Sequence, residues 1–106
     1  MATQYLPLTA KISGGEQDEG GFVSYCPELD VASQGETIEE AVRNLQDAVD
    51  TYVSALSEMG DLRAVLDERG LKPVLREPKG KAHVEVSPGE FVSTLIAKVD
   101  AGKVPA

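Results

Sequence analysis

The sequence is poor in the side chains on which most catalytic and metal sites depend. Its 106 residues include one cysteine, one histidine and no tryptophan, and only 5% are aromatic. A single cysteine excludes an internal disulfide and a cysteine-cluster metal site. Cys26 and His83 do not provide the three or four clustered ligands of a zinc site. The sequence therefore predicts no catalytic centre, no metal and no cofactor, with Cys26 as a buried strand residue and His83 on the surface.

Long apolar runs are also missing. No stretch approaches the roughly 18–20 apolar residues that a membrane helix needs. The segment Met1 to Leu8 lacks the basic start and apolar stretch of a signal peptide. We therefore expect a cytoplasmic protein of one domain without a membrane partner.

Negative charge is present in excess but unevenly distributed. The net charge is −8, and residues 12–60 hold eleven acids against a single base, Arg43. Residues 61–106 are close to neutral, with seven acids and eight bases. The acidic part would repel nucleic-acid phosphates and attract a basic protein, or it serves solubility alone.

The first part of the chain has the pattern of a small antiparallel sheet. Glycine pairs with acids between them form a turn segment over 14–21, predicted to be a solvated hairpin tip rather than a calcium loop because its spacing misses the calcium-loop pattern. Within the first strand, Pro7 indicates an edge position or a bulge. The three predicted strands are Gln4–Ser13, Phe22–Cys26 and Leu29–Ser33.

A long amphipathic helix follows the third strand. Thr37 and Glu40 form a T-x-x-E capping box at its start, and Gly60 suits the left-handed position that ends a helix. Between them, apolar residues recur at spacings of three and four from Ile38 to Met59, which predicts one buried stripe.

The remaining residues are predicted to form a short helix capped by Asp61, an irregular stretch over 71–80, and a hairpin. In the strand His83–Ser87, alternation directs Val84 and Val86 inward. Pro88-Gly89 is a turn dipeptide, and Phe91–Val99 is rich in β-branched residues. A helix from Pro88 to Ala101 is the alternative for this last segment.

Two motifs resemble a known family. The strand Gly21-Phe22-Val23 with the corner Pro27-Glu28-Leu29, and the run Gln34-Gly35-Glu36-Thr37-Ile38-Glu39-Glu40-Ala41, are similar to the HicB-like antitoxin pattern over roughly residues 5–59. The resemblance implies an α+β fold, partial RNase H-like, in which a three-stranded antiparallel sheet packs on one long helix in the order β-β-β-α. Residues 1–60 would form this core, and 61–106 an extension, expected to be a β-hairpin, in the same domain.

The resemblance also implies a function, which is to bind and neutralise a small basic ribonuclease toxin of the HicA type. Many members carry a C-terminal DNA-binding module, but the residues after Gly60 are too few for a recognisable one, so we do not expect DNA binding. On the basis of charge, we expect six residues to contact the partner: Glu28, Asp30, Glu36, Glu39, Arg43 and Asp47.

A second hypothesis is a stand-alone structural or regulatory module without a toxin. A long strand at a chain end, with no charged residue from 91 to 97, invites pairing with another subunit. We therefore expect a homo-oligomer, a dimer or a tetramer, with an interface formed by Phe91, Val92, Leu95, Ile96 and Val99.

Overall fold

The computed structural model describes residues 3–14, 21–79 and 84–100. Residues 15–20 of the hairpin tip predicted over 14–21, and His83, lie outside these ranges. The elements, in chain order, are β1 (Thr3–Gly14), β2 (Phe22–Cys26), β3 (Val31–Gly35), α1 (Ile38–Met59), α2 (Leu62–Glu68), β4 (Val84–Ser87) and β5 (Glu90–Asp100).

The described strands form one antiparallel sheet in the order β3-β2-β1-β5-β4. The α+β class and the helix packed on an antiparallel sheet agree with the sequence prediction, but the sheet has five strands rather than three. The reason is the length of β1, which pairs with β5 from Thr3 to Ser13 while β2 covers only Lys11 to Gly14. The C-terminal hairpin thus joins the same sheet instead of standing apart from it.

One face of the sheet carries the core. Alternate residues of β1 and β5 point to the helix side, as period-two alternation requires, and Leu29 from the turn after β2 joins them. Partly buried rings of Phe22 and Phe91 meet edge to face, with centroids 6.4 Å apart. The buried strand and turn residues are Leu6, Leu8, Ala10, Ile12, Ser24, Cys26, Leu29, Leu95, Ala97 and Val99.

Helix α1 begins and ends at the predicted residues. The Glu40 backbone N–H donates to the Thr37 hydroxyl at 3.0 Å, and the Glu40 carboxylate accepts from the Glu36 N–H at 3.2 Å. Gly60 ends the helix with φ 78°. The buried stripe is Ala41, Leu45, Val49, Val53 and Leu56, whereas Met59, predicted to belong to it, is 67% exposed because it lies beyond the sheet-facing turns.

The approach of α1 to the sheet depends on Gly35. A Cβ atom built on Gly35 would lie 2.5 Å from the Ala41 nitrogen and 2.8 Å from the Glu40 carbonyl carbon. Such distances are far inside van der Waals contact, so no larger residue fits there. Beside this contact, the buried Ser24 hydroxyl donates to the Ala41 carbonyl oxygen at 2.8 Å, which satisfies a polar group in the core.

Two boundaries differ from the sequence prediction. Strand β3 starts at Val31 rather than Leu29 because residues 27–30 form a turn, in which Asp30 adopts φ 57°. After Gly60, α2 forms as predicted, but the Asp61 side chain makes no capping hydrogen bond. No helix in the described ranges is both long enough and apolar enough to cross a membrane.

The C-terminal segment is a strand, as expected, and not a helix. Pro88 and Gly89 form the turn between β4 and β5, with Gly89 at φ 75°. The inward orientation predicted for Val84 and Val86 is wrong, because each is 59% exposed. The cause is a register shift between Glu85 and Ser87, and the pairing of Val84 with Val92 on the sheet face away from the helices.

A candidate partner-binding surface

The nominated residues lie in different surroundings around β3 and α1. Asp30, Glu36, Glu39, Arg43 and Asp47 are exposed, as a contact surface needs. Asp30 and Glu36 directly flank β3, one before it and one after it. Glu28, expected to be exposed, is partly buried.

Glu28 has a structural role that the sequence analysis missed. Its carboxylate accepts the Thr9 backbone N–H at 3.0 Å through Oε1 and the Thr9 hydroxyl at 2.8 Å through Oε2. Strand β1 continues past the end of β2 here, so this N–H has no strand partner on that side. Because the Glu28 carboxylate accepts this N–H, it completes the hydrogen bonding of β1 at the end of β2. Glu28 is therefore not a free surface charge.

Asp30 is fixed by its neighbour across the hairpin. The Tyr25 hydroxyl donates to Asp30 Oδ1 at 2.8 Å. This hydrogen bond raises the pKa of Tyr25, with smaller contributions from burial and from the Asp30 charge. The carboxylate of Asp30 is therefore held at the start of β3 on the exposed surface.

Helix α1 presents one polar face toward β3. Asn44 marks this face, since its side-chain amide donates to the Gln34 carbonyl of β3 at 2.8 Å. Glu40 lies four residues before Asn44 and Asp47 three residues after it, so all three share a face of the helix. In the sequence, Glu40 is recognisable only as a capping residue, because spacing alone does not show which helix face borders β3.

Glu39 lies on the opposite flank. This flank is marked by Gln46, whose amide donates to the Ile96 carbonyl at 2.8 Å and accepts from the Ile96 N–H at 3.3 Å. Glu39 precedes Gln46 by seven residues and shares its side of the helix. Arg43 lies between the two flanks on the solvent side. The structure therefore groups Asp30, Glu36 and Asp47 with Glu40, and separates Glu28 and Glu39 from them.

We call Asp30, Glu36, Glu40 and Asp47 the β3 acidic surface. No described cation lies within ion-pair distance of their carboxylates, although Arg43 adjoins Asp47 on the helix and Arg69, which donates to the Glu28 carbonyl at 3.3 Å, lies near Tyr25. Among the described residues, an ion pair occurs only within α2, between Arg63 and Asp67 at 3.5 Å. In the same ranges no three His, Cys, Asp or Glu side chains are placed to hold a metal ion. Because the four acids outnumber Arg43 and Arg69, the surface keeps a negative potential.

The residues predicted to form an oligomer interface divide between two faces. Leu95 and Val99 are buried in the core of the same chain, and Phe91 packs on Phe22. Phe91 and Leu95 pair in register with the buried Ile12 and Leu8, and Val99 shares their face by alternation, so all three point toward the helices. Val92 and Ile96 lie on the other sheet face. There Val92 lines a groove of about 490 Å³ together with Lys11, Val23, Tyr25 and Val86.

Cys26 is buried, as the sequence predicted. Its thiol donates to Glu28 Oε1 at 3.6 Å. Burial raises the pKa of this thiol to about 11, so it is protonated at neutral pH. A protonated, inaccessible thiol is a poor nucleophile.

Comparison with known proteins gives one partial match. A stretch of 39 residues is 41% identical to UPF0150 protein ssr1765 of Synechocystis sp. (strain ATCC 27184 / PCC 6803 / Kazusa), covering 36% of this chain. The matched stretch spans about half, 49%, of that relative's length. No profile of a known protein family matches the chain, and no solved structure matches it. The match supports a distant relation to UPF0150 proteins.

Proposed function

We propose that this protein is a HicB-like antitoxin that acts by binding and not by catalysis. In this proposal it neutralises a small basic ribonuclease toxin of the HicA type. Two sequence features support it, the Pro27-Glu28-Leu29 corner and the run Gln34 to Ala41. The partial relation to a UPF0150 protein agrees with this, since that group includes HicB-like antitoxin-type proteins.

The observation that supports the proposal most directly is the excess negative charge of the β3 acidic surface. Four carboxylates border one short strand, and the described residues place no cation within ion-pair distance of them. A basic partner would place cationic side chains opposite these carboxylates across an interface. Such complementarity also accelerates association, since opposite potentials steer the encounter of the two proteins.

Binding alone would be sufficient for neutralisation. A protein docked over the active site of a small ribonuclease excludes RNA, and acidic side chains occupy the place of the phosphates. The docking residues need no catalytic chemistry of their own. We include Arg43, on the solvent side of α1, as a polar contact that would pair with an acid of the partner.

The experiment is an affinity capture from the native organism at low and at moderate salt, followed by a ribonuclease assay of the captured protein. We expect a small basic ribonuclease that is inhibited when this chain is added back and is released as salt rises. Capture of no basic ribonuclease at either salt would contradict the proposal. Ribonuclease turnover by this chain itself, abolished by changing one Asp or Glu, would contradict the binding-only mechanism.

The homo-oligomer hypothesis retains Val92 and Ile96 as its candidate residues. Both side chains are partly buried on the sheet face away from the helices, and Val92 lines the same groove as the exposed Val23 and Val86. Exposed apolar side chains that adjoin one another are a common feature of subunit interfaces. Light scattering at micromolar concentration decides between a dimer or tetramer and the 11.3 kDa monomer.

A further inference from the structure

Strand β3 lies at one edge of the sheet, with β2 on one side only. In an antiparallel pair, residues alternate between those that bond to the partner and those whose N–H and C=O point away from it. On β1, Tyr5 and Thr9 direct their N–H groups to the β2 side, as their bonds to Val74 and Glu28 show. Lys11, two residues on from Thr9, therefore bonds to its register partner Tyr25.

This alternation fixes the orientation of Ala32. Since Tyr25 uses its backbone groups on β1, its register partner Ala32 receives no ladder bond from β2. The N–H and C=O of Ala32 thus point away from the sheet. Gln34, two residues further, has the same orientation, which the bond from Asn44 to its carbonyl confirms. No described strand lies on that side of β3.

Other open backbone groups of this sheet are covered. Beyond β2, Val74 exchanges two hydrogen bonds of 2.7 Å with Tyr5, and Glu28 takes the N–H of Thr9. On the outer side of β5, Gln46 takes both the N–H and the C=O of Ile96. Ala32 is exposed and has no such cover from a described residue. An exposed strand edge with free backbone groups is a template for another strand.

The charges around this edge specify what it would accept. Asp30 and Glu36 stand at the two ends of β3, and Glu40 and Asp47 lie on the helix face that borders it. Side chains of an added strand would alternate between the helix side and the open sheet face. Basic side chains on the helix side would meet Glu40 and Asp47. On the open face, a basic side chain at one end would meet Asp30, which Tyr25 holds there, and apolar ones would pack by Ala32 and Tyr25.

We propose that the edge of β3 binds a short extended basic segment of the partner protein by strand addition, centred on the backbone of Ala32. This inference rests on the proposed function, because it assigns the binding mode of the same surface. Main-chain hydrogen bonds to Ala32 would fix the register of the added segment against β3. The flanking acids would favour segments with basic side chains. The segment would be short, because Asn44 already occupies the Gln34 carbonyl.

The test uses the full chain and a synthetic peptide of about six residues in which lysine and valine alternate, the usual length of a strand. A second peptide has the same sequence with alternate backbone nitrogens methylated, which removes hydrogen-bond donors and keeps the charge. Amide hydrogen exchange is followed by NMR at Ala32 and at Ser33, whose N–H already faces β2. We expect the first peptide to slow exchange at Ala32 at least about tenfold and to leave Ser33 unchanged.

The methylated peptide is expected to bind at least about tenfold more weakly, the effect of losing roughly one net hydrogen bond. Equal affinity of the two peptides with unchanged exchange at Ala32 would overturn strand addition. It would leave the charge-based function standing, which the capture of a basic ribonuclease tests independently. Absence of binding by both peptides at low salt would also overturn strand addition.

A pair of variants gives a second measurement. Ala32→Pro removes the outward backbone N–H from the strand edge. Ala32→Val keeps this N–H and changes only an exposed side chain. We expect about a tenfold loss of peptide affinity for Ala32→Pro and a change of less than about twofold for Ala32→Val. Equal affinities in folded variants would overturn the proposal. If Ala32→Pro does not fold, as judged by circular dichroism, the methylated peptide still decides.

Discussion

Thr9 and Glu28 are joined by two hydrogen bonds, from the backbone N–H at 3.0 Å and from the hydroxyl at 2.8 Å. The side chain of a turn residue thus takes the place of a neighbouring strand. This contact lies where β1 outruns β2, and Cys26 donates to the same carboxylate. The Pro27-Glu28-Leu29 corner, one of the two motifs that resemble the antitoxin family, therefore has a role in stabilising the fold.

Replacing Glu28 tests this role. Glu28→Gln places an amide group, itself a donor, opposite one of the two Thr9 donors. We expect the free energy of unfolding to fall by about 1–3 kcal/mol, the cost of leaving a partly buried polar group unsatisfied. Urea denaturation measures it. The control Glu68→Gln, on the exposed side of α2, should change stability by less than about 0.5 kcal/mol. Equal effects of the two changes would contradict the role of Glu28.

Gly35→Ala tests the close approach of α1 to β3. The new methyl group would lie 2.5 Å from the Ala41 nitrogen, a backbone atom that cannot turn aside. We expect a loss of about 3 kcal/mol or more, because the helix must shift from the sheet.

The matched control is Gly60→Ala. A Cβ there meets nothing within 4 Å, although φ is 78°, so the expected loss is about 1 kcal/mol from backbone strain alone. Similar losses at the two glycines in thermal unfolding would refute the packing explanation for Gly35.

The buried thiol gives a prediction about pH. Burial raises the pKa of Cys26 from its ordinary 9.0 to about 11, so the unfolded chain loses this proton first as pH rises. The stability that depends on the protonated thiol is complete below about 9 and is lost on approaching about 11.

The measurement compares the wild type with Cys26→Ala across this range. The stability advantage of the wild type should be constant from neutral pH to about 9 and should shrink between about 9 and about 11. Groups that titrate there without interacting with Cys26 are common to both proteins and cancel. A constant difference throughout would show that the thiol titrates alike in the folded and unfolded states.

The helix could be predicted closely because its signals are local. Thr37, Glu40 and Gly60 each act on the backbone within a few residues, and they set both ends of α1. Pro7 is also a local signal. It predicted an edge position or a bulge, and it lies in the part of β1 that β2 does not reach. The number of strands was wrong because strand partners are chosen over long distances. Nothing local indicates that β5 will pair with β1 rather than form a separate hairpin.

The candidate surface was only partly predictable. Charge alone selected Asp30, Glu36 and Asp47, and the structure groups them with Glu40 around β3. Charge alone could not separate Glu28 from them, since a carboxylate that accepts a backbone N–H looks in sequence like any other acid. Nor could alternation reveal that Leu95 and Val99 face their own helix, because that depends on which face of β5 the core covers.

The central claim is that the β3 acidic surface binds a basic partner, and a pair of charge reversals tests it most directly. One variant carries Glu36→Lys and Asp47→Lys. The control carries Glu58→Lys and Glu85→Lys, the same change of charge at exposed sites near the end of α1 and on β4, the strand at the opposite edge of the sheet. Affinity for the captured basic ribonuclease is measured by calorimetry at constant ionic strength. The account predicts at least about a hundredfold weaker binding for the first variant, roughly 1.4 kcal/mol for each reversed charge. It also predicts less than about a fivefold change for the control. Equal weakening of both variants would show that only net charge matters and would contradict the assignment of this surface.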